Sequence, residues 1–222
     1  MRNSLLVVLA LTLVGPMYCA REALATPSGL NNIPTADVVA EQVLVLQGFS
    51  EFGPAREPSW FAGFKYGPAA NWEVGIDDAS LGPGSAGGPV LQAKYRAALA
   101  PNAALGLGAA NISADSDRNG DVYPYAVISA ALGRIGGHLG YSAQKNNNAW
   151  FVGADGAVSQ SLTLRADWTQ VADGEESVSS LGVIAPLAPR WLVEGWASFP
   201  SAEGARTRYV VKLDYVVSLG KR

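Results

Sequence analysis

Strict alternation of apolar and polar residues is the feature that most constrains this chain. In its last run Thr207, Tyr209, Val211, Leu213, Tyr215, Val217 and Leu219 fall on one side, and Arg206, Arg208, Lys212, Asp214 and Ser218 on the other. Side chains of an extended strand point to opposite faces with period two, so such a run is a ribbon with one greasy and one charged face. The pattern recurs. Trp60, Ala62, Phe64 and Tyr66 oppose Gly63, Lys65 and Gly67; Trp72, Val74 and Ile76 oppose Glu73, Gly75 and Asp77. Leu91, Ala93, Tyr95, Ala97 and Leu99 oppose Gln92, Lys94 and Arg96, and Leu162, Leu164, Ala166 and Trp168 oppose Thr163, Arg165 and Asp167. Ile135, Leu139 and Tyr141 oppose His138, and Trp191, Val193, Ala197 and Phe199 oppose Glu194 and Ser198. Capped runs of helical period are missing, while Gly, Pro and Asn clusters divide the chain at regular intervals. Strands are therefore expected near 42–52, 59–66, 71–77, 90–99, 103–112, 122–132, 134–143, 149–154, 159–169, 178–186, 190–199 and 206–219.

The N-terminus has a different character. Arg2 opens a short basic region, Leu5 to Val14 is an apolar core, and Ala23-Leu24-Ala25 is an A-x-A site, the three parts of a cleaved secretory signal. The apolar run is broken by Gly15 and Pro16, short of the roughly 20 residues of a spanning helix. Cleavage places the mature start at Thr26 and removes Cys19, the only cysteine, so no disulfide framework is possible. Removing Arg2, Arg21 and Glu22 from 16 basic and 19 acidic residues leaves 14 against 18, a net charge of −4. That balance argues against a nucleic-acid partner. No linker divides the rest, so the expected organisation is a signal peptide at 1–25, an extended lead-in at 26–41 and one β domain at 42–222.

Alternation alone leaves open which face is inside, because a soluble barrel buries its apolar face and a membrane barrel exposes it. Trp60, Trp72, Trp150, Trp168, Trp191, Phe199 and Tyr209 cluster near strand ends on the apolar face, where interfacial girdles belong. The opposite face mixes glycine with charge, which suits a crowded polar lumen better than a solvated surface. Connections also alternate in length. Short turns are expected at Gly67–Ala70, Ala100–Asn102, Gly133, Gly153–Val158 and Leu187–Pro189, and longer loops at Gly53–Pro58, Ala79–Pro89, Ser113–Asp121, Gln144–Asn148, Gln170–Ser177 and Pro200–Ala205. The expected fold is all-β, an antiparallel up-and-down transmembrane β-barrel of about 12 strands (10–12).

On these residues the mature chain resembles the bacterial outer-membrane β-barrel proteins, porin-like ones included. The resemblance implies export by a Sec-type route, an outer-membrane location, and membrane lipid and the barrel assembly machinery as partners. Such proteins usually end on an aromatic residue, whereas this chain ends Gly220-Lys221-Arg222. The opening Gly29-Leu30-Asn31-Asn32-Ile33-Pro34-Thr35-Ala36 is similar to a G-L-x-x-x-P-T-A stretch of barrels linked to exopolysaccharide export. Its prolines also fit a plain lead-in, or a segment tucked into the lumen.

Catalysis is not expected. His138 is the only histidine, its nearest same-face hydroxyl Ser142 lies four strand positions away, and no nucleophile, zinc or phosphate motif is present. The residues expected to line the lumen are Lys65, Glu73, Lys94, Arg96, His138, Arg165, Asp167, Glu194, Arg208, Lys212 and Asp214. Counted with Asp77, Arg134 and Arg206, cations exceed carboxylates there, which favours anions in an open pore. Asp115, Asp117, Asn119 and Asp121 match the start of a calcium loop, but Ala126 stands where the bidentate Glu belongs, so no cofactor is expected beyond a weak calcium site. The expected function is a porin-like or narrow channel for small solutes, or a structural barrel. The alternatives are a secreted lipocalin-like ligand binder and an accessory protein in polysaccharide export.

Overall fold

The computed structural model describes residues 28–54, 56–78, 88–143, 148–170 and 176–220; the expected signal peptide with the two residues after it, residue 55, the tips of three loops and the last two residues lie outside them. Twelve strands follow one another: β1 Val43–Gly53, β2 Arg56–Ala69, β3 Trp72–Asp78, β4 Pro89–Ala100, β5 Ala103–Ile112, β6 Tyr123–Leu132, β7 Ile135–Ser142, β8 Ala149–Ser159, β9 Leu162–Gln170, β10 Ser177–Ala188, β11 Trp191–Pro200 and β12 Arg208–Ser218. Each pairs antiparallel with its neighbours in sequence, and β1 closes on β12 from Val43 opposite Ser218 to Phe52 opposite Tyr209. Closure leaves no unpaired edge, the condition for strands to sit in hydrocarbon.

The faces divide as the alternation requires. Leu139, Val152, Leu164, Leu181 and Val211 are exposed on the outer wall, although they lie in mid-strand. Aromatics form two outer bands. At the end carrying the short turns, Trp72 packs on Tyr95 and Trp191 on Tyr215, with ring centroids 4.9 and 4.6 Å apart. At the loop end, Tyr141 packs on Trp150 (4.9 Å) and Phe52 on Tyr209 (5.8 Å), with Trp60, Trp168 and Phe199 exposed at the same level. A soluble protein would not leave so many large apolar groups in contact with water.

Two boundaries differ from the sequence expectation. β8 continues to Ser159, so Gly153–Val158 is strand and the turn falls at Gln160 and Ser161. Gly153 is a space-making residue of the inner wall, not a breaker: a Cβ there would meet the ends of Leu30 and Ile33. Likewise Gly53–Pro58 is no long loop, since β2 begins at Arg56 and Gly53 pairs with it. A register shift between Glu51 and Gly53 bends the hairpin end, where proline is tolerated.

Before β1 the chain lies inside the barrel. Residues 28–39 thread the lumen, then the chain turns at its short-turn end, where Val43 N–H donates to Ala40 O (3.1 Å) and Gln42 adopts φ 58°. Gln42 ties this corner to the wall, donating its N–H to Gly67 O (2.7 Å) and accepting from Leu219 N–H (2.8 Å).

Candidate functional site

The inner segment is a small hairpin. Leu30 N–H donates to Ile33 O (2.9 Å), Gly29 bridges Pro34, and Thr35 Oγ1 takes up Asp37 N–H (3.3 Å). Pro34 adds no donor that the lumen would have to satisfy. One side of the hairpin is apolar: Leu30, Ile33 and Ala36 pack with Ala104, Val127 and Phe151 of the inner wall, partly covered by Tyr125. Bare backbone makes the room. Ala36 Cα would stand 2.8 Å from a Cβ at Gly106, and added carbons at Gly67 and Gly182 would meet Val39 and Ala40, and Asn31, respectively. Gly67, Gly106, Gly153 and Gly182 therefore form the hairpin's track. Phe151 is fully buried and fills the space over Gly140. Phe151→Ala is expected to cost about 3–5 kcal/mol, read as a shift in the urea unfolding midpoint of lipid-folded protein.

The hairpin's polar groups are met by barrel side chains at three places. At the first, Glu73 accepts from the Ser28 hydroxyl (2.5 Å) and from Val39 N–H (2.8 Å), while Lys94 Nζ donates to the carbonyls of Ser28 (2.5 Å) and Thr35 (3.2 Å). Lys65 Nζ reaches Ser28 Oγ (2.9 Å) and both lysines flank Glu73 at about 4 Å. At the second, Ala36 N–H donates to Ser129 Oγ (2.8 Å), which bonds His138 Nδ1 (2.8 Å), and His138 Nε2 bonds Asp155 (2.9 Å). At the third, Asp167 accepts from the N–H groups of Asn31 (3.1 Å) and Asn32 (3.3 Å). The Asn32 amide donates to Ser180 (2.5 Å) and Ser198 (2.8 Å), and accepts from Trp196 Nε1 (3.2 Å). A buried strand outside any ladder must find such partners, and here side chains supply them.

An ion network spans β9, β11, β12 and β1. Glu194 takes Arg165 Nη1 on one oxygen (2.5 Å) and Lys212 Nζ on the other (2.8 Å). Lys212 also lies 3.6 Å from Asp214, which accepts from Gln47 Nε2 (2.9 Å). All of these face inward and are buried or nearly so, a neutralising arrangement suited to a lumen.

Lys65, Glu73, Lys94, His138, Arg165, Asp167, Glu194, Lys212 and Asp214 thus lie on the inner face and fall into the seat of the hairpin or the ion network. Arg96 follows Lys94 on that face, and Arg208 stands at the loop end, 3.8 Å from Glu51. The balance of charge differs from the expected cation excess. Asp155 points inward, since β8 is longer than its glycines imply, Glu51 of β1 lies on the inner face near Arg208, and Arg206 belongs to a loop, bonding Pro54 O. The basis for an anion preference is thereby removed.

Ser116–Asn119 is one helical turn, which sends alternate side chains to different sides, and Asn119 spends its amide on Gly88 N–H (2.8 Å) and Ser113 Oγ (2.7 Å). Among the described residues, no three of His, Cys, Asp and Glu come together as a metal site.

Sequence reasoning missed Ser129, Ser180, Ser198 and Trp196. The three serines carry neither charge nor motif, and Trp196, although it shares the polar face with Glu194 and Ser198, carries no charge that marks it. A cavity of about 270 Å³ remains beside Lys65, Gln92, Tyr123 and Tyr125, floored by Ser28, Asn32 and Pro34 of the hairpin.

No family model matches the chain, and no curated protein matches it. Solved structures do. A KdgM porin superposes with a TM-score of 0.60 at 12% identity, over 77% of this chain and 98% of that one. The fold is that of the outer-membrane porins. A NanC porin matches at a TM-score of 0.55 and 9% identity (78% and 98% coverage). The outer membrane protein Omp33 of Acinetobacter baumannii matches at 0.54 and 13% (79% and 98%). These porins share the barrel and its closure with this chain. The lipocalin-like alternative is not favoured, since the aromatic face lies on the outer wall, and the polysaccharide-export alternative finds no support among these neighbours.

Proposed function

We propose that this chain, after export behind a cleaved signal, sits in the bacterial outer membrane as a narrow passage for small solutes and performs no covalent chemistry. One observation carries the reading: the outer wall is aliphatic between two aromatic bands, while the paired ions of the strands face a common lumen. Hydrocarbon favours the first surface, and a hydrated pathway requires the second. Ser129, His138 and Asp155 have the contact order of a hydrolytic triad, but Ser129 Oγ is taken up by Ala36 N–H and the cavity does not reach it. Their role here is to hold backbone.

The full chain is expected in the outer-membrane fraction, with unboiled and boiled mobilities that differ in detergent gels, and with small, infrequent conductance steps in planar bilayers. A soluble product insensitive to boiling ends the reading. Labelling of Ser129 by a fluorophosphonate probe ends its non-enzymatic part.

A further inference from the structure

We propose that the inner wall is a peptide-binding site, for which the hairpin 28–39 is a displaceable occupant that closes the passage; this rests on the channel reading above. The ligand class is an extended peptide with an apolar pair flanking a tight turn, as in Leu30-Asn31-Asn32-Ile33. Three observations carry it. First, between Ser28 and Val39 the bonds to the barrel go to side chains, at Glu73, Lys94, Ser129, Asp167, Ser180 and Ser198, and none is a rung of a β ladder. Withdrawal therefore breaks no strand pairing, and each freed group can bind water in the vacated lumen. Second, the wall is shaped for this chain, with glycines where its backbone passes and a Phe151–Val127 floor beneath Leu30 and Ile33. Third, among the described residues the hairpin is fastened to the wall's backbone at its corner alone, by the Glu41–Gly67 bridge and the Gln42–Gly67 and Gln42–Leu219 bonds, so it can swing out at the short-turn end. The tether holds it at millimolar effective concentration, which keeps the closed state dominant.

Full-length Leu30→Asp puts a carboxylate against Phe151 and Gly153 and should unseat the hairpin without touching a strand. Its mean conductance should rise at least tenfold over the parent, while the gel mobility shift reports an intact barrel. A synthetic peptide of residues 26–40 should return it to the parent level and should raise its own fluorescence anisotropy on binding, whereas a scrambled peptide should do neither. Conductance of folded Leu30→Asp equal to the parent's, with no binding of the peptide, overturns the proposal. Peptide binding without conductance in either protein keeps the site and removes the channel. If Leu30→Asp does not fold, the Leu30→Cys/Gly153→Cys protein decides. Oxidation should abolish its openings and reduction restore them; openings unchanged between the two states overturn the proposal.

Discussion

Leu139→Arg is expected to destabilise the lipid-folded barrel by about 2–4 kcal/mol, the cost of a guanidinium near the bilayer midplane. Leu139 lies in the middle of β7, is half exposed, and sits between Ile128 of β6 and Val152 of β8 on the outer wall. The same exposure in a soluble protein makes the substitution nearly neutral, within about 0.5 kcal/mol. Depth supplies the control. Leu132, at the β6–β7 turn and 85% exposed, is at the level of the interface, where arginine costs about 0–1 kcal/mol. Urea unfolding of each variant in phospholipid vesicles measures both. Equal and negligible costs at the two sites would mean that water, not lipid, surrounds the wall.

Glu194→Ala is expected to cost about 3–5 kcal/mol, because it strands Arg165 and Lys212 as buried cations side by side. Lys212 retains Asp214 at 3.6 Å, but Arg165 has no other ion pair among the described residues. The double change Arg165→Met/Glu194→Leu removes the stranded charge together with its cause and leaves the Lys212–Asp214 pair. It should recover most of the loss, since replacing a complete buried pair by apolar groups is often neutral or better. Unfolding midpoints in the same vesicles read both proteins. A double variant as unstable as Glu194→Ala would show that the network is needed for its shape and not for its balance of charge.

Some of this architecture was legible in residue order because it follows from period two. A strand beginning with Trp72 or Trp191 cannot point Glu73 or Glu194 anywhere but the opposite face, so sorting greasy from charged side chains needs no long-range information. The same logic set the alternation of turns and loops. It failed where one residue type has two meanings. Gly153 reads as a breaker, yet in β8 it clears space for Leu30, a residue more than a hundred positions earlier. Trp196 falls by its position with Glu194 and Ser198 on the polar face, but period two does not say that its partner is Asn32.

Residue order by itself determined that the chain is a succession of antiparallel strands with an oily face, a charged face and aromatic rims, since each is a local consequence of backbone geometry. Only the closed structure decided that the charged faces meet around the chain's own beginning. Ser28, Asn31, Asn32 and Ala36 find their partners on β3, β4, β6, β9, β10 and β11, contacts that exist once β12 returns to β1. A pattern of period two records which way a side chain points, but not what occupies the space it points into.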